Sequence, residues 1–141
     1  TKEHAFGMNM LIQDLAAINM MEPDEVEKQI LLGTLPGNWQ QDTLPIFAAN
    51  LQQQIQRAIQ MYVSTLHGDR PEKIVFAGGG ATIPELVESL RQDLGMEIEV
   101  FNPFEGMTVN PKLDQEKLAA LAPQLALAAG LASRSFSEWH M

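Results

Sequence analysis

The chain has 141 residues, 45 % of them hydrophobic and 19 % charged, which fits one globular domain with a modest core. A formal net charge of -9 argues against binding a phosphate backbone or an anionic membrane surface, both of which need clustered Lys and Arg. With no cysteine, disulfide frameworks and thiolate chemistry are excluded, and no unbroken apolar stretch reaches the roughly 18 residues of a membrane span.

The first half reads as helical. Leu11, Ile12, Leu15 and Ile18 form one apolar face at three-to-four spacing. In "MEPDEVEKQILLG", Pro23 and the acids Asp24, Glu25 and Glu27 mark a helix start, with the acids serving the helix dipole and solvent. Gly33 marks the stop. "LPGNWQQD" reads as a turn. Leu44, Phe47, Leu51, Ile55, Ile59, Tyr62 and Leu66 then repeat every three or four residues along a longer helix, whose other faces are mostly filled by glutamines. "HGDRPEK" ends it.

After Pro71 the texture changes. "KIVFA" is a short β-branched and aromatic run, read as a buried strand. Pro84 to Leu94 reads as a helix with Leu86, Val87, Leu90 and Leu94 on one side, and Thr82 with Glu85 fits the T-x-x-E capping box. "MEIEVFN" alternates as a second strand, and "NPFEGMTVNPKLDQ" is a loop rich in turn residues. "KLAALAPQLALAAGLASRSF" reads as helix with a break near Pro123. Its small residues Ala126, Ala128, Ala129, Gly130 and Ala132 suit close packing on a neighbour.

Strand, helix and strand imply a parallel βαβ unit with a right-handed crossover. Two parallel strands do not make a stable core, so the missing strands are expected from elsewhere in a larger α/β protein of which this is the C-terminal part.

Between the first strand and its helix stand Gly78, Gly79 and Gly80. Ligands of parallel sheets sit beyond the carboxyl ends of strands, glycine admits close backbone approach, and a helix N-terminus favours anions. The spelling excludes a P-loop, because no Lys follows, and excludes the dinucleotide fingerprint, because Ile83 stands where its last glycine belongs. Spacing alone leaves two readings open, a nucleotide contact and a glycine turn required by sterics.

The other chemistry-bearing residues read mostly as surface or packing. His4, His67 and His140 are scattered, with no partner at metal-ligand spacing. Trp39 and Trp139 suit either partner anchors or a packed loop and a tail. Arg134 suits a helix C-terminal charge or a carboxylate contact, and Met8, Met10, Met20 and Met21 suit core filling or an adaptable surface. No set of nucleophile, base and orienter is present.

"IVFAGGGATIPEL" resembles the adenosine motif of the actin, heat-shock ATPase and sugar-kinase superfamily. More narrowly, the chain resembles the C-terminal part of the PilM family of type IV pilus assembly. The resemblance is carried by "AFG" at Ala5, "LPGNW" at Leu35, "QQIQRAIQMYVS" at Gln53, "NPFEGMTVNPKLD" at Asn102 and "LAPQLALAAGLASRSF" at Leu121. It implies an α/β fold, the second lobe of an actin-like (ribonuclease H-like) protein. Residues 1–68 would be a mainly helical inserted subdomain, and residues 69–141 the C-terminal half of the nucleotide-cleft subdomain. It implies that Gly78, Gly79 and Gly80 contact ATP, with Mg held by residues outside this sequence. Three positions depart from the family pattern. Gly7-Met8 stands for Gly-Gly, Ile12 for a threonine, and Ile30-Leu31 for a Lys aimed at the nucleotide.

The function implied is a non-enzymatic ATP-binding cytoplasmic scaffold of the inner-membrane pilus platform, peripheral to the membrane through its partners. Those partners are the N-terminal cytoplasmic peptide of PilN, docked on the absent lobe, and other platform proteins, with nucleic acid excluded and a homo-oligomer left open. The alternatives are an ATPase or kinase lobe of the same superfamily, and an interaction module that has lost nucleotide binding. A reading frame continuing upstream of Thr1, with a first-lobe phosphate loop and a D-x-G motif, is the expected observation. An initiator Met directly before Thr1 would contradict it.

Overall fold

The computed structural model describes residues 5–66 and 69–134. Helix α1 (Met8–Asn19) leads through a left-handed Met20 into α2 (Pro23–Leu32). Pro23 sits in the first turn of α2 with Asp24 and Glu25, where the missing N–H costs nothing and the acids meet the positive end of the helix dipole. Gly33 closes α2 in the left-handed conformation (φ 66°), and the Thr34 N–H returns to the Gln29 carbonyl at 2.9 Å.

The "LPGNWQQD" segment is only half a turn. Past Gly37 the chain forms a single helical turn, α3 (Trp39–Asp42), that runs directly into α4 (Leu44–Leu66). Trp39 is buried there, so it packs in the core rather than anchoring a partner. His4, His67, Trp139 and His140 lie outside the described residues.

Strand β1 (Lys73–Phe76) pairs parallel with β2 (Glu97–Val100), with Ile74 opposite Ile98 and Phe76 opposite Val100. The Phe101 N–H adds one further bond to the Phe76 carbonyl, at 2.9 Å. Between the strands, α5 (Pro84–Leu94) buries Leu86, Val87, Leu90 and Leu94, the four residues of the apolar stripe, and ends on a left-handed Gly95. Arg91 fixes the crossover. One guanidinium nitrogen donates to Glu88 at 2.8 Å and another to the Ile98 carbonyl at 3.0 Å, joining α5 to β2. Hydrogen bonds from Gln92 and Arg91 hold the Glu88 carboxyl below its ordinary value.

Beyond the turns at Asn102 and Asn110, Asp114 caps α6 (Gln115–Leu121) by accepting from the Lys117 N–H at 3.0 Å. A 3-10 turn (Ala122–Leu125) carries Pro123 and separates α6 from α7 (Ala126–Ser133), which is the break expected at that proline.

One continuous apolar cluster runs from Leu11 in α1 through Val26, Trp39, Leu44 and Phe47 to Leu86, Leu90 and Ile98. The helices and the βαβ unit therefore share a core, with α5 packed against both α4 and β2.

Four sequence expectations are corrected. Ile18 is 64 % exposed, because it faces a groove between α1 and α4 rather than the core. Tyr62 is also exposed. The 23 residues of α4 span about 34 Å at 1.5 Å per residue, while the 11 of α5 cover only about 16 Å of it. β1 is covered on one face alone, leaving Val75 53 % exposed beside an outward-facing Lys73–Glu99 ion pair. That pair raises the Lys73 ammonium above its ordinary value, chiefly through the hydrogen bond it donates to Glu99. The small residues of α7 pack little: none of its residues is buried, and Leu127 is 75 % exposed.

The burial pattern separates two leucine-sized truncations. Leu90→Ala empties a fully packed site and should cost about 2–5 kcal/mol. Ile18→Ala should change stability by no more than about 0.5 kcal/mol. Urea unfolding of the two variants gives both numbers, and equal losses would contradict the assigned core.

Candidate functional site

The carboxyl end of β1 is where the chain turns on its three glycines, of which Gly78 alone is held to glycine by its backbone. Gly78 has φ 91° and ψ −173°, backbone that a side chain strains, although a Cβ there would meet nothing within 4 Å. Its N–H donates to the Pro123 carbonyl at 2.9 Å, which ties the end of β1 to the 3-10 turn after α6. A Cβ on Gly79 would touch the Met8 side chain at 3.5 Å and the Gln124 amide at 3.6 Å. A Cβ on Gly80 would press on the Phe76 ring at 3.4 Å and on Leu86 at 3.5 Å.

Gly79 to Thr82 form one 3-10 turn, in which the Ala81 N–H donates to the Gly78 carbonyl and the Ile83 N–H to the Gly80 carbonyl. The N–H groups of Gly79 and Gly80 open that turn and have no acceptor within it. The capping box is not formed. The Thr82 hydroxyl turns back to the Gly79 carbonyl at 2.7 Å, and Ile83 is the N-cap of α5 without a side-chain bond. With its hydroxyl donated to the Gly79 carbonyl and Ile83 in the N-cap place, Thr82 is one residue too early to cap α5.

The last residues of this turn face the end of α2 across a cleft of about 410 Å³. One wall is Gln29 to Gly33, the other Thr82 to Glu85. Leu35 and Trp39 line it beside Gln40, and Ala120 and Leu121 of α6 close one side. Its size lies within the range of about 300–1,000 Å³ of small-molecule sites, and its exposed walls are about as polar as they are apolar, a more polar lining than most such sites have. The one charged side chain in the lining is Glu85. The walls therefore suit a flat, partly apolar group with hydrogen-bonding edges, read by Gln29 and Gln40. They supply no cation for a phosphate. Among the described residues, no group of three His, Asp or Glu is arranged to hold a metal ion.

Of the residues singled out in the sequence, the structure brings Ile30 and Leu31 into the cleft wall and sets Met8 against Gly79. Ile12 does not join them, being buried in the helical core. Gly78, Gly79 and Gly80 do not line the cleft, and of their turn only Thr82, followed by Ile83, reaches it. Leu35, Trp39, Ala120 and Leu121 were not foreseen in this role. A signal for this wall existed in Ile30-Leu31-Leu32, since three consecutive apolar residues cannot all face one core from a helix.

Comparison with known proteins adds to this geometry. A family model described as type IV pilus assembly protein PilM matches residues 1–136. Among solved structures, a chain of the "PilM-PilN type IV pilus biogenesis complex" superposes with a TM-score of 0.73 at 23 % identity. The match covers 92 % of this chain and 37 % of that one, so the sequence spans little more than a third of the solved chain's length. At that identity the likeness establishes a shared fold.

The glycine geometry carries its own test. Gly78→Ala should cost about 1–3 kcal/mol through backbone strain alone. Gly79→Ala, whose neighbours are flexible side-chain ends, should cost less than about 1 kcal/mol. Urea midpoints that rank the two the other way would contradict the conformation given to Gly78.

Proposed function

The chain belongs to the PilM family of type IV pilus assembly proteins, and on that footing we propose that it forms the ATP-binding second lobe of an actin-like scaffold. In this reading residues 1–68 are the helical subdomain and residues 69–141 half of the nucleotide-cleft subdomain. The observation that carries the proposal is the cleft of about 410 Å³ at the carboxyl end of β1, between the end of α2 and the glycine turn. Ile30, Leu35, Trp39 and Ile83 would enclose the adenine, with Gln29 and Gln40 reading its edge. The Gly79 and Gly80 N–H groups would meet the ribose-phosphate side. Since Glu85 is the only charge in the lining, the phosphates and their Mg would be held by residues of the rest of the protein.

The role proposed is assembly rather than turnover, because the family model that matches the chain is described as a type IV pilus assembly protein. PilN is proposed as a partner of the whole protein, because the similar solved chain is in a complex with it and extends well beyond the part matched here. Its N-terminal cytoplasmic peptide would dock outside this lobe, and the protein would work on the cytoplasmic face of the inner-membrane platform. Among the described residues no helix is long and apolar enough to cross a membrane. Ile30 in the wall and Met8 against Gly79 favour a second reading, an interaction module without nucleotide.

Calorimetry of the full-length protein with Mg-ATP separates the two. The ATP reading expects saturable heat. It expects Leu31→Glu, an exposed cleft position, to weaken binding about fivefold by repulsion of the triphosphate, and Ile30→Lys to tighten it. No heat from the parent protein would leave the module reading. Heat that Leu31→Glu does not alter would move the nucleotide out of this cleft.

A further inference from the structure

One polar side chain of the cleft wall has its hydrogen-bonding sense fixed from outside the cleft. Gln29 of α2 lines the cleft, and its side-chain Nε2 donates to Glu25 Oε1, one turn earlier on the helix, at 2.8 Å. A carboxylate only accepts, so the amide is held in one orientation, nitrogen on Glu25 and carbonyl oxygen Oε1 left over. Among the described residues no hydrogen bond uses that oxygen. Glu25 itself is half-buried and does not line the cleft, and its other oxygen lies 3.9 Å from Lys28 Nζ.

The surrounding wall carries further acceptors. The Gly33 and Thr34 N–H groups satisfy the Ile30 and Gln29 carbonyls. Those of Leu31 and Leu32 are left at the negative end of the α2 dipole. Across the cleft the Thr82 hydroxyl has given its proton to the Gly79 carbonyl, so its lone pairs remain. The other glutamine of the lining, Gln40, is exposed, and its side chain makes no hydrogen bond among the described residues. Gln40 is able to present either end of its amide, and Gln29 is not.

That difference decides which purine edge the wall accepts. Adenine has a 6-amino donor beside a ring nitrogen that accepts. Hypoxanthine reverses both, with a 6-oxo acceptor beside an N–H donor. An amide free to turn pairs with either base. One held with its nitrogen on a carboxylate takes the 6-amino group and sets its oxygen against a 6-oxo group. We propose, on the nucleotide reading above, that Gln29 reads the 6-amino group of an adenine bound in this cleft. Glu25 is then the positioning residue that sets the sense of the amide from outside.

Calorimetry of the full-length protein with Mg-ATP and with Mg-ITP tests this, because the two nucleotides differ only at that edge. The parent protein should bind ATP about tenfold more tightly than ITP. Glu25→Ala should bring the ratio to about threefold or less, since the amide is then free to turn. Glu25→Lys should bring it to about unity or below, because an ammonium donates to Oε1 and turns Nε2 toward the base. Gln29→Ala should lower the ratio as Glu25→Ala does, and joining the two should lower it no further. A change in folding or in overall charge moves both nucleotides together, so the ratio reports the amide alone. Leu31→Glu should weaken ATP and ITP alike. Equal affinity of the parent for the two nucleotides would overturn the assignment and leave the cleft its nucleotide, as would a ratio that Glu25→Ala does not alter. No heat from either nucleotide would remove the nucleotide reading and this specificity with it.

Discussion

The burial of α5 is the constraint on which the rest of the structure depends. Two four-residue parallel strands cannot shield their own backbone or make a core. They persist because Leu86, Leu90 and Leu94 lie over Ile74, Phe76 and Ile98, and because the same helix packs against α4. Arg91 closes the arrangement at the other end through the Ile98 carbonyl. Once α5 is fixed between sheet and helices, its N-terminus has one position relative to the end of α2. The cleft between Ile30 and Ile83 is a consequence of that packing.

The three glycines take their meaning from the same geometry. Gly78 is accounted for locally by its backbone sign, while a Cβ at Gly79 or Gly80 would make side-chain contacts of about ordinary van der Waals length. A glycine run at a strand end is no evidence of a ligand on its own. What gives the turn a functional reading is that its last residue, Thr82, enters the wall of a cleft whose other wall comes from a helix some fifty residues earlier. Gly78 further links β1 to the Pro123 carbonyl, so the break in the C-terminal helical segment helps to hold the turn.

Short-range signals were legible in the sequence and long-range ones were not. α5 runs from Pro84 to Leu94 as its apolar period, early proline and terminal glycine require, and α2 is set by Pro23 and Gly33 in the same way. The capping box failed because Thr82 had a nearer acceptor, the Gly79 carbonyl, in a 3-10 turn that no periodicity announces. Ile18 has the right spacing for a core residue, but spacing says nothing about whether a neighbour arrives, and here the groove stays open. Trp39 read as part of a turn because the single helical turn of α3 is too short to show a period. The PilM likeness was readable from the words around Asn102 and Leu121, but the cleft itself required the pairing of α2 with α5.

The central claim is that the cleft between α2 and the glycine turn holds the nucleotide. Amide chemical-shift mapping of the full-length protein on addition of Mg-ATP tests it most directly. The account predicts that the shifted amides of this lobe gather at Ile30 to Gly33 and at Gly79 to Ile83, while those of Ile18 and Ile46 stay in place. Shifts absent from both cleft segments, or centred on the α1–α4 groove, would contradict it.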